Sequence, residues 1–418
     1  MGNRMVSIRL KQKAAKSKCK IESIKAFILP IISIAFILLL IIFSKTAVSS
    51  ALKGIDLWLN VVFPSLFPFL TASELLNGTS FVKAAGILLE PVMRPLFNVP
   101  GCASFPFATG MTSGYPVGAK VVASMKENKL LNKWDAEKLL AFCNNSSPLF
   151  IIGAVSTGML KMPQIGPLLL ICHLAAGITV GFIYRFIPVN PKNVTLSGGR
   201  KPVSGKSGST SNIDFGSLLG NAVRNSVTTL LVIGGFIILF SVIIGILMES
   251  GILNSFAGLL YTLLKFTGLP KELYISLISG FIEITTGLGM LCSSPNITLN
   301  MKLITVSAII GWGGISVHMQ VMSVVRNAGL SIKPYLMGKC VQSILSAIYT
   351  MGGLKLTGLY PETAALVFKN FYTPNLRTWN QYLLESCKQL YLFALLFFIL
   401  VISVFTITSL VKFIKRQL

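Results

Sequence analysis

Two clusters of small polar residues and glycines interrupt apolar stretches otherwise long enough to enter a membrane. Phe142 to Gly153 reads FCNNSSPLFIIG, and Ile309 to Gln320 reads IIGWGGISVHMQ. A shift of 170 positions lays Phe142 on Trp312, Ser146 on Ser316 and Pro148 on His318. Unwound backbone at membrane depth is tolerated only where protein buries it or where it lines a wet cavity, because an unsatisfied N–H or C=O is costly there. Paired breaks in matching halves therefore point to the mid-membrane binding site of a carrier. A new half-helix starting near Ser146 or Ser147, and another near Ser316, would each present free N–H groups and a positive dipole end, which favour an anion. Asn144, Asn145, Ser146, Ser147 and Ser316 add hydrogen-bonding side chains. The competing reading is a simple kink whose serines bond their own helix backbone.

Upstream of each break lies a second glycine-rich element, Ala108 to Lys120 (ATGMTSGYPVGAK) and Ser279 to Gly289 (SGFIEITTGLG). Gly114, Pro116 and Gly118 in one, with Gly287 and Gly289 in the other, oppose a regular helix and suit the tip of a re-entrant hairpin. Close helix packing through small residues is the plainer alternative. Glu283 stands in an otherwise apolar segment, where a carboxylate is expensive and marks function by default. It is expected to act in gating or coupling together with His318, which can titrate near neutral pH, and with Gly311, Gly313 and Gly314 of the second break. Substrate contact is expected from Asn144, Asn145, Ser146, Ser147, Ser316, Gly114, Tyr115 and Trp312. Lys120 reads as a snorkelling side chain, His173 as a packed core histidine, and Glu74 and Asp56 as interfacial. The seven cysteines form no CxxC pair and read as small buried residues rather than metal ligands or disulfides. No nucleotide-cradling, nucleophile-elbow or HExxH signature occurs, so no enzyme activity, cofactor or metal is expected.

The elements that must position these residues are membrane helices. With 53% hydrophobic and 12% charged residues among 418, and a mean hydropathy of +0.74, the chain has too little polar surface for a soluble globule. Apolar runs at Ala26 to Ser44, Pro167 to Ile187, Leu230 to Met248 and Leu390 to Leu410 approach the roughly 20 residues that span a bilayer core. Weaker runs, at Leu57 to Leu76, Leu139 to Leu160, Leu273 to Leu291, Leu303 to Val325 and Tyr335 to Met351, bring the expectation to about 8 to 10 segments. The first run is too long for a signal-peptide core and reads as an uncleaved anchor.

The net charge of +24 lies beside the spans rather than on an aromatic-interleaved module, so it speaks for a membrane surface and against nucleic acid. Basic clusters at both ends place both termini in the cytoplasm. The organisation expected is a basic N-terminus (1–25), an anchor (26–44), a first repeat (45–188), a basic Gly/Ser/Pro-rich linker (189–214), a second repeat (215–355), a loop region (356–389) and a last helix with a basic tail (390–418). Charge bookkeeping runs the two broken helices in opposite directions, giving an all-α polytopic protein of two inverted repeats with discontinuous helices.

GMTSGYPVGAK at Gly110, FCNNSSPLFIIG at Phe142, GFIEITTG at Gly280 and GWGG at Gly311 resemble the YlbJ (SpoVV) family of sporulation integral membrane proteins. The resemblance covers nearly the whole chain. That family is similar to proteins with nucleoside-recognition gate domains and, more remotely, to concentrative nucleoside transporters. The resemblance implies a protein of the outer forespore membrane that moves dipicolinic acid from the mother cell toward the developing spore. Two half-helix N-termini would suit its two carboxylates, and Phe142, Trp312 or Tyr115 its ring. Glu283 would then be protonated or hold a cation when this dianion binds. Transport of a nucleoside or other small metabolite, and a non-transporting scaffold for other sporulation membrane proteins, are the alternatives. Oligomeric state is not legible.

Overall fold

The computed structural model describes residues 30–77, 93–187 and 215–356, and among them every regular element is helical. The basic N-terminus, the linker at 189–214 and everything from 357 onward, including the last expected span, lie outside the described residues.

Helix α1 (Pro30–Ile42) presents Ile31, Ile34, Leu38, Ile41 and Ile42 outward, as a lipid-facing helix does. It does not run on as a straight anchor to Ser44: at Phe43 the chain leaves helical geometry and turns by 98° into α2 (Ser44–Leu57). Small residues explain the direction taken. Ser50 packs against Gly245 and Gly54 against the Ile238 backbone, holding α2 along the long helix α9 (Phe215–Glu249). A wider π turn at Trp58–Val62 leads into α3 (Phe63–Asn77), also on α9, and the Trp58 indole N–H donates to the Leu230 carbonyl at 3.0 Å.

The first half continues as α4 (Ser104–Thr112), α5 (Val117–Glu127), α6 (Lys133–Cys143), the π-wound α7 (Phe150–Met159) and α8 (Gly166–Arg185). After α9 and α10 (Ile252–Leu263), the second half repeats this order as α11 (Lys271–Ile282), α12 (Ile284–Ser293), α13 (Leu299–Trp312), α14 (Gly314–Asn327) and α15 (Lys333–Leu356). Shifted by 170, α6 falls at 303–313 and α8 at 336–355, on top of α13 and α15. Thr179 and Tyr349, themselves 170 apart, hydrogen-bond each other at 2.9 Å, where α8 packs against α15.

Three helical stretches among the described residues are long and apolar enough to cross a membrane, Pro163–Arg185, Phe215–Glu249 and Leu299–Asn327, or four if the bent α1–α2 pair is one span. The remaining apolar runs are built from short helices. Hairpin arms of 9 to 12 residues rise only about 14–18 Å, so they enter the protein and return.

The halves interlock. The second-half residues Val317, Val321 and Val325 of α14 lie in one core with Leu139, Leu140 and Phe142 of α6. Reciprocally, Phe150, Ile151 and Val155 of α7 share a core with Leu288 and Leu291 of α12 and Ile309 and Ile310 of α13. Each helix that follows a break is thus buried in the opposite half. Of the described cysteines, Cys143 and Cys172 are buried as expected, whereas Cys340 is exposed.

Candidate functional site at the meeting of two hairpin tips and two broken helices

The first hairpin, α4–α5, closes on itself at glycine. A Cβ on Gly118 would lie 3.0 Å from Gly110 Cα, and one on either glycine would collide with the Cys143 carbonyl at the end of α6. Its tip, Ser113 to Pro116, carries Gly114 at φ +83°, where an added Cβ would stand 2.9 Å from Ser147. Positive φ and close approach together require glycine there. In the second hairpin, α11–α12, Gly287 meets the Gly280 backbone in the same way. The arms therefore pack through small residues and still form hairpins; the two expectations for these segments are compatible.

Glu283 is the tip of the second hairpin. Its backbone is extended (φ −141°, ψ 121°), and its carboxylate caps α12, accepting from the Thr285 N–H at 3.1 Å, the Thr285 hydroxyl at 2.6 Å and the Thr286 N–H at 2.7 Å. The positive end of α12 is thus already capped by a side chain of the protein itself. This is how an acid survives at 1% exposure.

Break 1 runs from Asn144 to Ser147 between α6 and α7. Ser147 caps the new helix through its hydroxyl, which accepts from the Phe150 N–H at 3.2 Å, and Pro148 follows in the first turn, where no N–H is required. The Ser146 N–H donates to His173 Nε2 at 3.1 Å, so that histidine is an acceptor from α8 that satisfies the break. Break 2 is built differently. Gly313 (φ +90°) ends α13 and Gly314 (φ +81°) begins α14, two residues before the start expected near Ser316. A Cβ on Gly314 would lie 3.2 Å from the Ile282 carbonyl and the Ile284 nitrogen, so break 2 rests directly on the second tip.

Both tips, break 1 and the opening turns of α14 that follow break 2 converge on one cavity of about 470 Å³, counting its open mouth. Ser113, Gly114 and Tyr115 come from the first tip, Ser146, Ser147 and Phe150 from break 1, Glu283 and Thr285 from the second tip, and Ser316 and Gln320 from α14. Val62, Leu66, Ile233 and Ile237 of the α2–α3 segment and α9 complete an apolar side. The hydroxyls of Tyr115 and Ser146 are buried without a hydrogen bond of ordinary geometry. Glu283 is the one charged residue in the lining.

Of the expected contact residues, Gly114, Tyr115, Ser146, Ser147 and Ser316 line the cavity. Asn144, Asn145 and Trp312 lie outside its lining. Trp312 stacks on Phe281 at 4.7 Å and donates its indole N–H to the Phe281 carbonyl at 3.1 Å. Of the expected gating set, Glu283 lines the cavity, Gly313 and Gly314 form break 2, and Gly311 lies against the Gln342–Ser343 backbone of α15. His318 sits edge-on to Trp312 and hydrogen-bonds Tyr335 at 2.9 Å. Lys120 pairs loosely with Glu74 at 4.0 Å on a half-exposed surface.

Behind break 1 is a network that the sequence reading missed. Lys339 of α15 donates to the Asn144 carbonyl at 3.2 Å and to Gln342 Oε1 at 2.8 Å; Gln342 Nε2 donates to Asn145 Oδ1 at 2.6 Å; Asn144 Nδ2 donates to the Tyr335 hydroxyl at 3.4 Å. Lys339 is the one charged residue in the apolar run Tyr335 to Met351, which is the signal that singled out Glu283. Gln320, four residues after Ser316, was legible as a same-face neighbour.

A family model described as "Gate: Nucleoside recognition" matches residues 59–162, which takes in the first hairpin and break 1 and stops before the second pair. Over 345 residues the chain is 35% identical to the sporulation integral membrane protein YlbJ of Bacillus subtilis (strain 168), covering 78% of this chain and 84% of that one. The chain belongs to the YlbJ family. Among solved structures, this YlbJ-family chain is similar to a point variant of CNTnw in an intermediate state (TM-score 0.49, 15% identity, 79% of this chain and 85% of that chain). It is also similar to CNTnw in an inward-facing substrate-bound state (TM-score 0.48, 14% identity, 79% and 84% of the two chains).

Proposed function

We propose that this YlbJ-family protein is a sporulation membrane carrier that binds one small polar solute in the cavity between the two hairpin tips and the two breaks. The observation that carries this reading is the convergence itself. Both hairpin tips, break 1 and the opening turns of α14 just beyond break 2, distant in sequence, line one cavity with hydroxyl groups, an amide and a carboxylate opposite an apolar wall. Interrupted backbone at depth is expensive unless it serves such a site. The reading assigns the protein no bond-making chemistry.

The solute implied by the family resemblance is dipicolinate, carried across the outer forespore membrane. Tyr115 and Phe150 offer ring surfaces, and the Ser146, Ser147 and Ser316 hydroxyls offer donors to its carboxylates. Because Glu283 is the one charged side chain in the lining, a dianion binds with Glu283 protonated or with a cation beside it. The same feature favours a second reading, an uncharged polar metabolite such as a nucleoside, with which the nucleoside-recognition match over 59–162 also agrees.

Labelled dipicolinate uptake and, separately, labelled nucleoside uptake by the purified protein in vesicles, each with excess unlabelled dipicolinate or nucleoside as competitor, test both. Uptake that excess dipicolinate suppresses and nucleosides leave unchanged supports the first. Nucleoside uptake with no dipicolinate movement supports the second. No flux of either overturns the carrier reading for these solutes.

A further inference from the structure

Lys339 has no exposed surface. It lies about 9 Å along α15 from the helix start at Lys333, yet its side chain does not reach back to that end. Its ammonium turns inward to the Asn144 carbonyl and Gln342 Oε1, and among the described residues no Asp or Glu pairs with it. An enclosed cation without an acid is costly unless other negative groups meet it. Here the negative group is the carbonyl end of α6, since a helix C-terminus carries about half a negative charge. Gln342 extends the arrangement, with its amide N–H₂ donating to Asn145 Oδ1 and, at 3.4 Å, to the His173 carbonyl. His173 in turn takes the Ser146 N–H. Two residues beyond Asn144 the same strand of chain, at Ser146 and Ser147, becomes the cavity wall.

In carriers with discontinuous helices, unwound carbonyls and half-helix C-terminal ends are where coupling cations are coordinated. We propose that Lys339 is a built-in counter-cation for break 1: its ammonium occupies the place of a bound monovalent cation, so the cavity is assembled without one. Lys339 is then a positioning residue that acts on Ser146 and Ser147 through the Asn144 carbonyl. Break 2 needs no such charge. The position 170 residues before Lys339 is Leu169, and the α13 end is closed by the Gly313 N–H donating to the Ile309 carbonyl at 2.9 Å.

The test uses the full chain, purified and compared in sodium, potassium and choline chloride at equal ionic strength. Its primary readout is the melting temperature, which does not depend on transport; the uptake arm rests on the carrier reading. The wild-type melting temperature is expected to be the same in all three salts. Lys339→Ala is expected to melt roughly 5 °C lower in choline and to regain at least half of that loss in sodium, which fits the vacated space. Lys339→Met, which fills the space without charge, is expected to stay low in every salt. Sodium stabilising the wild type over choline, Lys339→Met melting with the wild type, or Lys339→Ala failing to distinguish small cations from choline would each overturn the proposal. Should Lys339→Ala not fold, the wild-type and Lys339→Met arms still decide. Labelled dipicolinate uptake by the wild type should agree within a factor of two across the salts, and a sodium requirement sinks the idea. Absence of uptake in every salt beside the expected melting pattern counts against dipicolinate as the solute and leaves the counter-cation standing.

Discussion

Break 1 and break 2 interrupt corresponding helices, the first lining the cavity itself and the second leading into the helix whose Ser316 and Gln320 line it, and they are held by different means. Break 1 spans four residues, several of whose polar groups are met by side chains from other helices: His173 from α8, and Lys339, Gln342 and Tyr335 from α15. Break 2 is two glycines at positive φ resting on the backbone of the second hairpin tip, with Trp312 stacked over Phe281 beside it. A break fixed by its own backbone tolerates almost no added atom. A break fixed by borrowed side chains tolerates polar exchange but depends on distant residues. The geometry therefore assigns adjustable contact to break 1 and a stiff pivot to break 2.

The largest effect is expected at the pivot. Gly314→Ala forces an alanine into φ +81° and sets its Cβ 3.2 Å from the Ile282 carbonyl, and strain of this kind costs on the order of 3 kcal/mol. Folded yield and detergent melting temperature should fall sharply, whereas Gly153→Ala, where an added Cβ meets nothing, should not lower either. Next is Asn145→Ala at break 1, which removes the partner of Gln342 at 2.6 Å and the Asn145 bond to the Phe142 carbonyl at 2.8 Å. The loss should be about 2 kcal/mol, and Asn145→Asp should recover part of it because an acceptor for Gln342 remains and a negative charge now lies near Lys339. If Asn145→Ala proved harmless while Gly314→Ala was lethal, break 1 would not depend on its network.

Much of this arrangement was legible because glycine, proline and polar residues inside apolar runs have few structural meanings. The spacing of 170 between Phe142 and Trp312 anticipated helix pairs whose ranges coincide within a few residues after that shift, and Gly114, Glu283, Ser146 and Ser316 were placed at one site by type alone. Contacts between remote helices were not legible. Nothing local shows that Asn144 and Asn145 turn toward α15 rather than into the cavity, or that Trp312 is taken by Phe281. The capping role of Glu283 was hidden for another reason. An acid in an apolar run announces cost, and only the bend at residue 283 shows that the cost is offset by the N–H groups of Thr285 and Thr286. A helix end of the kind expected to favour an anion at the two breaks is thus present at α12 as well, and there it is already capped by Glu283.

Glu283→Gln sharpens the comparison from the tip side. The amide keeps one oxygen for Thr285 but sets an N–H₂ group against the Thr286 N–H, so capping should weaken by about 1 kcal/mol. The melting temperature should drop less than in Asn145→Ala. If dipicolinate binds when Glu283 is protonated, uptake by Glu283→Gln should lose its dependence on pH while remaining measurable. Unchanged rate and unchanged pH dependence would remove Glu283 from the binding step and leave it a helix cap.

The smallest effect is expected for Trp312→Phe, and it bears most directly on how break 2 is held. Phenylalanine keeps an aromatic surface over Phe281 and gives up the 3.1 Å bond to the Phe281 carbonyl, a loss of about 1 kcal/mol or less. The edge contact with His318 is kept in part, so the His318–Tyr335 bond that reaches toward Asn144 should persist. If backbone geometry fixes break 2, the melting temperature of Trp312→Phe should lie close to wild type and far above that of Gly314→Ala. Should the two variants fall equally, the indole and not the glycine pair is the clamp. Both breaks would then be held by side chains, and the division into adjustable contact and stiff pivot would fail.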